Sequence, residues 1–255
     1  MADGTKHTTI TPKFLGIIPA RYKSSRFPGK PLALIQGKPM FWHVYNQASQ
    51  CTALKQIVLA TDDKKIMDMA HDLGVPALMT SGEHCCGTDR VLEAACQLNA
   101  EPTSVVVNIQ GDEPIIAPEM IAELLSPFSN SEVEVSTLIR KITGEEANDP
   151  NQVKVVLGHG NKALYFSRSK IPFYREEEKP IFWGHIGLYA FRMRTLKLFS
   201  RLEPSFLEQA EKLEQLRLLE AGIPVHVVKT RYRSYGVDHP DDIVKIERIM
   251  RETQQ

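Results

Sequence analysis

Short apolar runs and helical stretches alternate along the first 110 residues. The apolar runs predict three buried strands, at residues 14–18, 56–60 and 104–109. Stretches with apolar residues at helical spacing lie between them, at residues 41–49, 64–73 and 90–98. Strands that alternate with helices favour a parallel sheet covered by helices on both faces, and ligands bind such sheets beyond the carboxyl ends of the strands. The segments that follow the three strands are therefore the first candidates for function.

The second half of the chain has a different pattern. An alternating stretch and two apolar runs around a Gly-containing turn predict antiparallel strands, at residues 133–139, 153–157 and 163–166. Residues 207–219 predict one continuous amphipathic helix, and residues 241–250 predict another that closes the chain. We expect a flexible N-terminal extension over residues 1–12 and a single domain over residues 13–255, with an antiparallel subdomain at about 133–200.

Basic and acidic residues are equal in number, 31 each, so the formal net charge is zero. Nucleic-acid-binding domains that rely on bulk electrostatics carry a basic excess, so this class is excluded and phosphate binding must be local. No apolar run of about 18 residues and no leader sequence is recognisable, so we expect no membrane insertion and a cytoplasmic location. Four cysteines have spacings that fit no zinc motif, and we expect them to be reduced and without metal: Cys51, Cys85, Cys86 and Cys96.

A basic loop follows the first predicted strand. It has four cations within ten residues: Arg21, Lys23, Arg26 and Lys30. These side chains could neutralise a triphosphate, although the loop lacks the Gly-x4-Gly-Lys-Ser/Thr pattern of a Walker A motif. The alternative is a solvated loop without a ligand. Its position at the carboxyl end of a strand favours phosphate binding.

Two acidic residues are candidates for a metal site. Asp112 follows the strand at 104–109, and Asp238 precedes the last predicted helix. Each has an ordinary alternative, because Asp112 could belong to a simple turn and Asp238 could be the N-cap of the helix. Proteins usually hold Mg²⁺ through one or two carboxylates together with substrate phosphates, and this pair fits that pattern.

A set of motifs in fixed order, together highly specific, resembles the 3-deoxy-D-manno-octulosonate (Kdo) cytidylyltransferase family, also called CMP-Kdo synthetases. The resemblance runs from Leu15 to about Ile249. It rests on IIPARYKSSRFPGKPL from Ile17, ATDD from Ala60, GTDR from Gly87, NIQGDEP from Asn108, KALYFSRSKIP from Lys162, HIGLYAFR from His185, LEQLRLLE from Leu213 and GVDHPDD from Gly236. It implies a Rossmann-like, mostly parallel sheet of the nucleotidyltransferase (GT-A-like) type, with a smaller antiparallel region for dimerisation and sugar binding.

The same resemblance implies an enzyme of lipopolysaccharide biosynthesis that couples CTP to Kdo with Mg²⁺, giving CMP-Kdo and diphosphate. It implies four catalytic residues, Arg21 and Lys30 on the triphosphate and Asp112 and Asp238 on the metal. The residues that it places around the nucleotide are Ala20, Arg21, Arg26, Lys30, Gly87, Thr88, Asp89 and Arg90. Those that it places around the sugar are Gln110, Arg168, His185, Glu214 and Gln215. A homodimer is implied, with residues 160–195 at the interface.

Two residues depart from the family pattern near the expected nucleotide pocket. Many members have Ser where this chain has Cys86, and many have Glu where it has Asp89. The alternatives that stay open are a cytidylyltransferase for 8-amino-Kdo or sialic acid and a metal-dependent glycosyltransferase. A nucleotide-binding regulatory module without catalysis predicts the loss of a metal carboxylate, yet both Asp112 and Asp238 are present.

Overall fold

One large mixed sheet forms the centre of the protein. The computed structural model describes residues 13–23, 27–84, 86–176 and 180–253. Within these ranges the strands are β1 (Phe14–Ala20), β2 (Leu34–Ile35), β3 (Lys38–Pro39), β4 (Gln56–Thr61), β5 (Ala77–Met79), β6 (Val105–Asn108), β7 (Val135–Ile142), β8 (Lys154–Leu157), β9 (Ala163–Ser167), β10 (Phe182–Arg192) and β11 (Val225–Lys229). The α-helices are α1 (Met40–Ser49), α2 (Lys64–Asp72), α3 (Gly87–Gln97), α4 (Pro118–Leu125), α5 (Met193–Phe199), α6 (Phe206–Glu211), α7 (Gln215–Glu220) and α8 (Asp242–Thr253). The predicted extension over residues 1–12 lies outside the described residues.

The first half of the chain forms the parallel part of this sheet. The strand order is β11-β7-β10-β6-β1-β4-β5, and β1 pairs in parallel with both β4 and β6. The predicted alternation of strands and helices is therefore confirmed, with element boundaries shifted by one to three residues. Because β1, β4 and β6 run in the same direction, their carboxyl ends meet at one edge of the sheet.

Helices cover both faces of the sheet. Adjacent residues of β1 point to opposite faces, so Ile18 packs in the core with α1 and α4 while Ile17 packs in the core with α3 and α5. Both side chains are fully buried. This two-sided burial explains why the strands of the first half are continuous apolar runs.

The second half adds the predicted antiparallel pairs. In the central sheet, β10 is antiparallel to both β6 and β7, and a β8–β9 hairpin pairs with the beginning of β10. Gly160 lies in the hairpin turn with a φ of 68°, a left-handed conformation that glycine adopts without strain. Since β7 and β10 hydrogen-bond in the same sheet as β6, the antiparallel strands are continuous with the parallel ones.

The prediction of one continuous helix over residues 207–219 is wrong. The chain forms α6 and α7 instead, and Lys212 between them has a left-handed φ of 55°. A contact across the break accounts for it, because the buried carboxylate of Glu208 binds the Arg217 guanidinium, whose Nε donates at 2.7 Å. The apolar spacing contains no sign of this tertiary ion pair. The break places Glu214 and Gln215 at the beginning of α7.

No α-helix in the described part of the chain is long and apolar enough to cross a membrane.

Candidate active site

The loop after β1 brings one lysine to the carboxyl edge of the sheet. Gly29 closes the loop with a φ of 72°, and its N–H donates to the Tyr22 carbonyl oxygen at 2.9 Å. The next residue, Lys30, begins a short 3-10 turn. Arg21 lies exposed at the end of β1, whereas Arg26 lies outside the described residues.

Lys30 joins the two predicted metal carboxylates. Its Nζ donates to Asp112 Oδ2 at 2.7 Å and to the Val237 carbonyl oxygen at 2.8 Å, and it lies 3.9 Å from Asp238 Oδ1. A further hydrogen bond, from the Val237 N–H to the Asp112 carbonyl oxygen at 2.9 Å, links the two loops that carry the acids. Residues 126 positions apart in sequence are therefore held at one ammonium group.

Asp238 lies in the loop that leads into α8, and its carboxylate also lies near Lys30 Nζ. The side chain of Asp242, the first residue of α8, holds this loop, because its Oδ2 accepts from the backbone N–H groups of Asp238 and His239 at 2.8 Å each. The carboxylates of Asp112 and Asp238 keep 36% and 55% of their surface exposed. Both are thus accessible to a ligand.

A cleft of about 230 Å³ opens at this edge. It is lined by Pro19, Ala20, Arg21, Lys30, Pro31, His84, Cys86, Gly87, Arg90, Gln110, Gly111, Asp112 and Asp238. Eight residues of the predicted site come together here: Ala20, Arg21, Lys30, Gly87, Arg90, Gln110, Asp112 and Asp238. The sequence interpretation did not place five of the lining residues in the site: Pro19, Pro31, His84, Cys86 and Gly111. For His84, the only sequence signal was its position just before the Gly-Thr-Asp-Arg motif.

Close backbone packing shapes the floor of the cleft. A Cβ atom on Gly111 would lie only 2.6 Å from the Pro19 carbonyl oxygen. Only glycine permits this approach, which sets the position of the neighbouring Gln110 and Asp112.

The Gly87–Arg90 motif forms the first turn of α3, but its side chains face different partners. The buried Arg90 guanidinium donates to Thr80 Oγ1 at 2.5 Å and to Asp62 Oδ2 at 3.0 Å. Thr88 and Asp89 do not line the cleft: Thr88 Oγ1 donates to Glu214 Oε2 at 3.2 Å, and Asp89 accepts from the Cys86 thiol at 3.3 Å.

Burial, reinforced by the negative charge of Glu214, raises the pKa of the Cys86 thiol to about 12. The thiol is therefore protonated at neutral pH and is a weak nucleophile.

Of the predicted sugar residues, only Gln110 lines the cleft. It donates to the Gly187 carbonyl oxygen at 3.2 Å. His185 Nε2 lies 3.0 Å from Thr137 Oγ1, and burial lowers the pKa of its imidazole to about 3. Neutral His185 packs against the ring of Tyr189, a residue that sequence analysis did not select.

Glu214 and Gln215 are adjacent at the beginning of α7. Desolvation raises the pKa of Glu214. The amide nitrogen of Gln215 is buried without a hydrogen-bond partner in the described structure. A buried donor without a partner is costly, so Gln215 is suited to receive an acceptor group from a ligand.

Arg168 does not line the cleft. Its Nε donates to the Glu211 carbonyl oxygen at 2.8 Å and one terminal nitrogen donates to the Pro150 carbonyl oxygen at 3.1 Å. Its backbone N–H also binds the Glu211 carboxylate at 2.9 Å. The guanidinium is therefore occupied by neighbouring carbonyl groups in this structure.

The donor set of the cleft fits a magnesium ion bound together with a triphosphate. Asp112 and Asp238 supply two accessible carboxylates that already share one cation, Lys30 Nζ. Mg²⁺ takes oxygen ligands and usually needs one or two carboxylates when phosphates complete its coordination. In the described residues no group of three or more His, Cys, Asp and Glu side chains is arranged to hold a metal alone. The site is suited to a metal that arrives with its nucleotide.

The parallel sheet, with cations and paired carboxylates at its carboxyl edge, defines a nucleotidyltransferase-like α/β protein. The cytidylyltransferase family matches residues 15–230. The 3-deoxy-manno-octulosonate cytidylyltransferase of Oleidesulfovibrio alaskensis is 56% identical over 241 residues, which cover 94% of this chain and 97% of the relative. That of Nitratidesulfovibrio vulgaris is 55% identical over 241 residues, covering 93% and 96%. This chain therefore belongs to the cytidylyltransferase family, among the 3-deoxy-manno-octulosonate cytidylyltransferases.

A solved structure supports the same assignment. A CMP:2-keto-3-deoxy-manno-octonic acid synthetase complexed with CTP superposes with a TM-score of 0.90 at 41% identity. The match covers 94% of this chain and 99% of that one.

Proposed function

We propose that this protein transfers the cytidylyl group of CTP to Kdo and releases diphosphate and CMP-Kdo. The observation that carries the proposal is the convergence of Lys30, Asp112 and Asp238 at the strand ends, in a chain whose relatives bear the name of this activity. The product serves lipopolysaccharide biosynthesis under this proposal, and the reaction takes place in the cytoplasm.

The reaction is an in-line substitution at the α-phosphorus of CTP. A bond forms between the anomeric oxygen of Kdo and this phosphorus, while the bond from the α-phosphorus to the bridging oxygen of the leaving diphosphate breaks. The proton of the anomeric hydroxyl is released, so that CTP and Kdo give CMP-Kdo, diphosphate and one proton. Catalysis of such a step depends on alignment and on positive charge around the triphosphate. Arg21 and Lys30 line the cleft and supply that charge from the protein.

Asp112 and Asp238 would hold Mg²⁺ in this proposal. The bound ion supplies charge neutralisation and alignment of the triphosphate. Lys30 lies between the two carboxylates, so it is placed to bind phosphate oxygens beside them. Ala20 and Gly87 line the same cleft, and with Arg90 they form the side that receives the nucleoside.

The sugar acid lies on the side of Gln110 in this proposal. His185, Glu214 and Gln215 extend this side with hydrogen-bonding groups, and Gln215 has an unpaired buried amide. Arg168 is the proposed partner of the sugar carboxylate, for which it must exchange its present bonds to the carbonyl groups of Glu211 and Pro150. A guanidinium can bind a carboxylate through two parallel hydrogen bonds.

A homodimer is also part of the proposal. Three large apolar side chains between residues 160 and 195 are exposed, Leu164 by 61%, Phe173 by 90% and Ile181 by 44%. All three lie in the region that the family resemblance assigns to the interface. Size-exclusion chromatography with light scattering should give twice the mass of the chain, and Phe173→Ser should shift the protein toward the monomer.

The activity is tested by measuring diphosphate release with each of the four nucleoside triphosphates and each of three sugars, namely Kdo, 8-amino-Kdo and sialic acid, with and without Mg²⁺. We expect release with CTP and Kdo, dependent on Mg²⁺ and abolished without the sugar. A higher kcat/KM with either other sugar would contradict the assigned substrate. No release from CTP with any of the three would contradict the reaction class.

A further inference from the structure

One irregular segment forms part of the cleft wall. The chain leaves β5 at Met79 and reaches the beginning of α3 at Gly87. Between them, His84 and Cys86 line the cleft beside Arg90. The segment has no strand or helix of its own in the described residues, so its position depends on side-chain contacts.

One face of α3 supplies these contacts. Residues 90, 93 and 97 are three and four positions apart and therefore lie on the same side of the helix. Arg90 binds Thr80, and the Gln97 amide donates to the Met79 carbonyl oxygen at 2.9 Å. Glu93 lies between them.

Glu93 makes the contacts nearest the cleft. Its Oε2 accepts from the Ser81 N–H at 2.8 Å and from His84 Nε2 at 2.5 Å, while Oε1 accepts from the Gln97 amide at 3.1 Å. Burial alone would raise the pKa of Glu93, but the hydrogen bonds from Ser81 and His84 outweigh it and lower the pKa. One ionised carboxylate thus fixes both the backbone of the segment and the imidazole that reaches the cleft.

We propose that Glu93 is a positioning residue for the nucleotide. Glu93 does not line the cleft itself, and it acts by holding residues 81–84 against α3 so that His84 forms a fixed part of the nucleotide wall. This role rests on the proposed function, in which the cleft receives CTP. His84 lies in the same wall as Arg90 and Gly87, and not beside the residues of β10 and α7. Loss of Glu93 should therefore weaken the binding of CTP and leave the binding of Kdo unchanged.

The test compares Glu93→Ala with the wild-type protein in two measurements, the Kd for CTP by titration calorimetry and the steady-state KM for CTP and for Kdo. We expect both the Kd and the KM for CTP to rise on the order of tenfold, because three hydrogen bonds to a charged group are lost, two of them from residues 81–84. The KM for Kdo should stay within about twofold.

A conservative variant separates positioning from a general structural effect. In Glu93→Gln the amide oxygen can take the place of Oε2 and still accept from both the Ser81 N–H and His84 Nε2, while only the bond from the Gln97 amide to Oε1 is lost, so we expect CTP affinity within about threefold of the wild type. The control is Glu101→Ala, which removes another carboxylate at an exposed position just beyond α3. It should change neither the affinity for CTP nor the KM for Kdo. If Glu93→Ala does not fold, His84→Ala replaces it, and we expect the same rise in the Kd and the KM for CTP.

Three results would overturn the proposal. They are a CTP affinity within twofold of the wild type in Glu93→Ala, an equal rise in KM for both substrates, and no rescue by Glu93→Gln. A wild-type protein that binds CTP in a Glu93-dependent way but releases no diphosphate would instead reject the proposed function and leave the role of Glu93 intact.

Discussion

Gly111→Ala is a direct test of how the cleft floor is built. The added Cβ would lie 2.6 Å from the Pro19 carbonyl oxygen and 3.6 Å from Ile18 Cγ2. Ordinary contact begins near 3.4 Å, so the two chain segments must separate by about 0.8 Å. The closer obstacle is a backbone atom of β1, and no side-chain rotation can remove it. The loop that carries Asp112 must therefore move.

The expected cost has two parts. Overpacking of this kind destabilises proteins by roughly 1–3 kcal/mol, which for a chain of this size lowers the Tm by several degrees. Displacement of catalytic groups by about 1 Å can reduce the rate by on the order of a hundredfold. Because Asp112 follows Gly111 directly, we expect kcat/KM to fall about 30- to 100-fold. Diphosphate release measures the change in kcat/KM, and thermal unfolding followed by circular dichroism measures the change in Tm.

Gly236→Ala is the matched control. Gly236 lies two residues before Asp238, and a Cβ added there would meet no heavy atom of the described structure within 4 Å. Its Tm should stay within about 1 °C of the wild type. If Gly111→Ala retains both wild-type turnover and wild-type Tm, then the close approach to Pro19 does not determine the position of Asp112, and the argument fails.

Five further substitutions test the assigned roles. Asp112→Asn and Asp238→Asn should each lower kcat by roughly a hundredfold, or about 3 kcal/mol, and near-normal turnover of Asp238→Asn would remove it from the metal site. Lys30→Ala should lower kcat with little change in the KM for Kdo, whereas Arg168→Ala should raise the KM for Kdo by a factor equivalent to roughly 2–4 kcal/mol; a rise in the KM for CTP alone would contradict the sugar role of Arg168. Because burial lowers the pKa of His185 to about 3, the unfolded chain takes up this proton first, and the stability that neutral His185 provides is lost as pH falls from about 6.5 toward 3. His185→Gln should therefore make the Tm less dependent on pH between 7 and 5, and an unchanged slope would exclude this origin.

The parallel half of the fold could be predicted because local pattern and tertiary position agree there. All four residues of β6 are buried, and a short continuous apolar run of this kind is typical of a buried parallel strand. By contrast, β11 was not predicted, because buried and partly exposed positions alternate over only four of its residues and the strand gains its place from parallel pairing with β7. The break at Lys212 was missed for the same reason, because the Glu208–Arg217 pair that accompanies it forms only in the folded chain.

Some contacts of the candidate site could likewise be predicted from the sequence, and others could not. The meeting of Asp112 with the basic loop follows from a rule about strand ends, and Lys30 makes that contact. The contact between Glu93 and His84 follows from no such rule, because a helix side chain reaches back to an irregular segment. The hydrogen bonds of Arg168 to neighbouring carbonyl groups could not be predicted either. Every residue has a backbone carbonyl, so the sequence does not indicate which ones a guanidinium binds.

Lys30 connects the binding of nucleotide with that of metal through charge balance. In this structure one ammonium group serves two carboxylates, so the cluster of Lys30, Asp112 and Asp238 carries an excess of negative charge. An ammonium has only three donors, and Lys30 uses two of them on Asp112 and the Val237 carbonyl oxygen. A triphosphate that draws Lys30 onto its own oxygens takes this cation away from Asp112 and Asp238, and a divalent ion can replace it. Under the proposed function, CTP and a divalent ion should therefore bind more tightly together than either does alone.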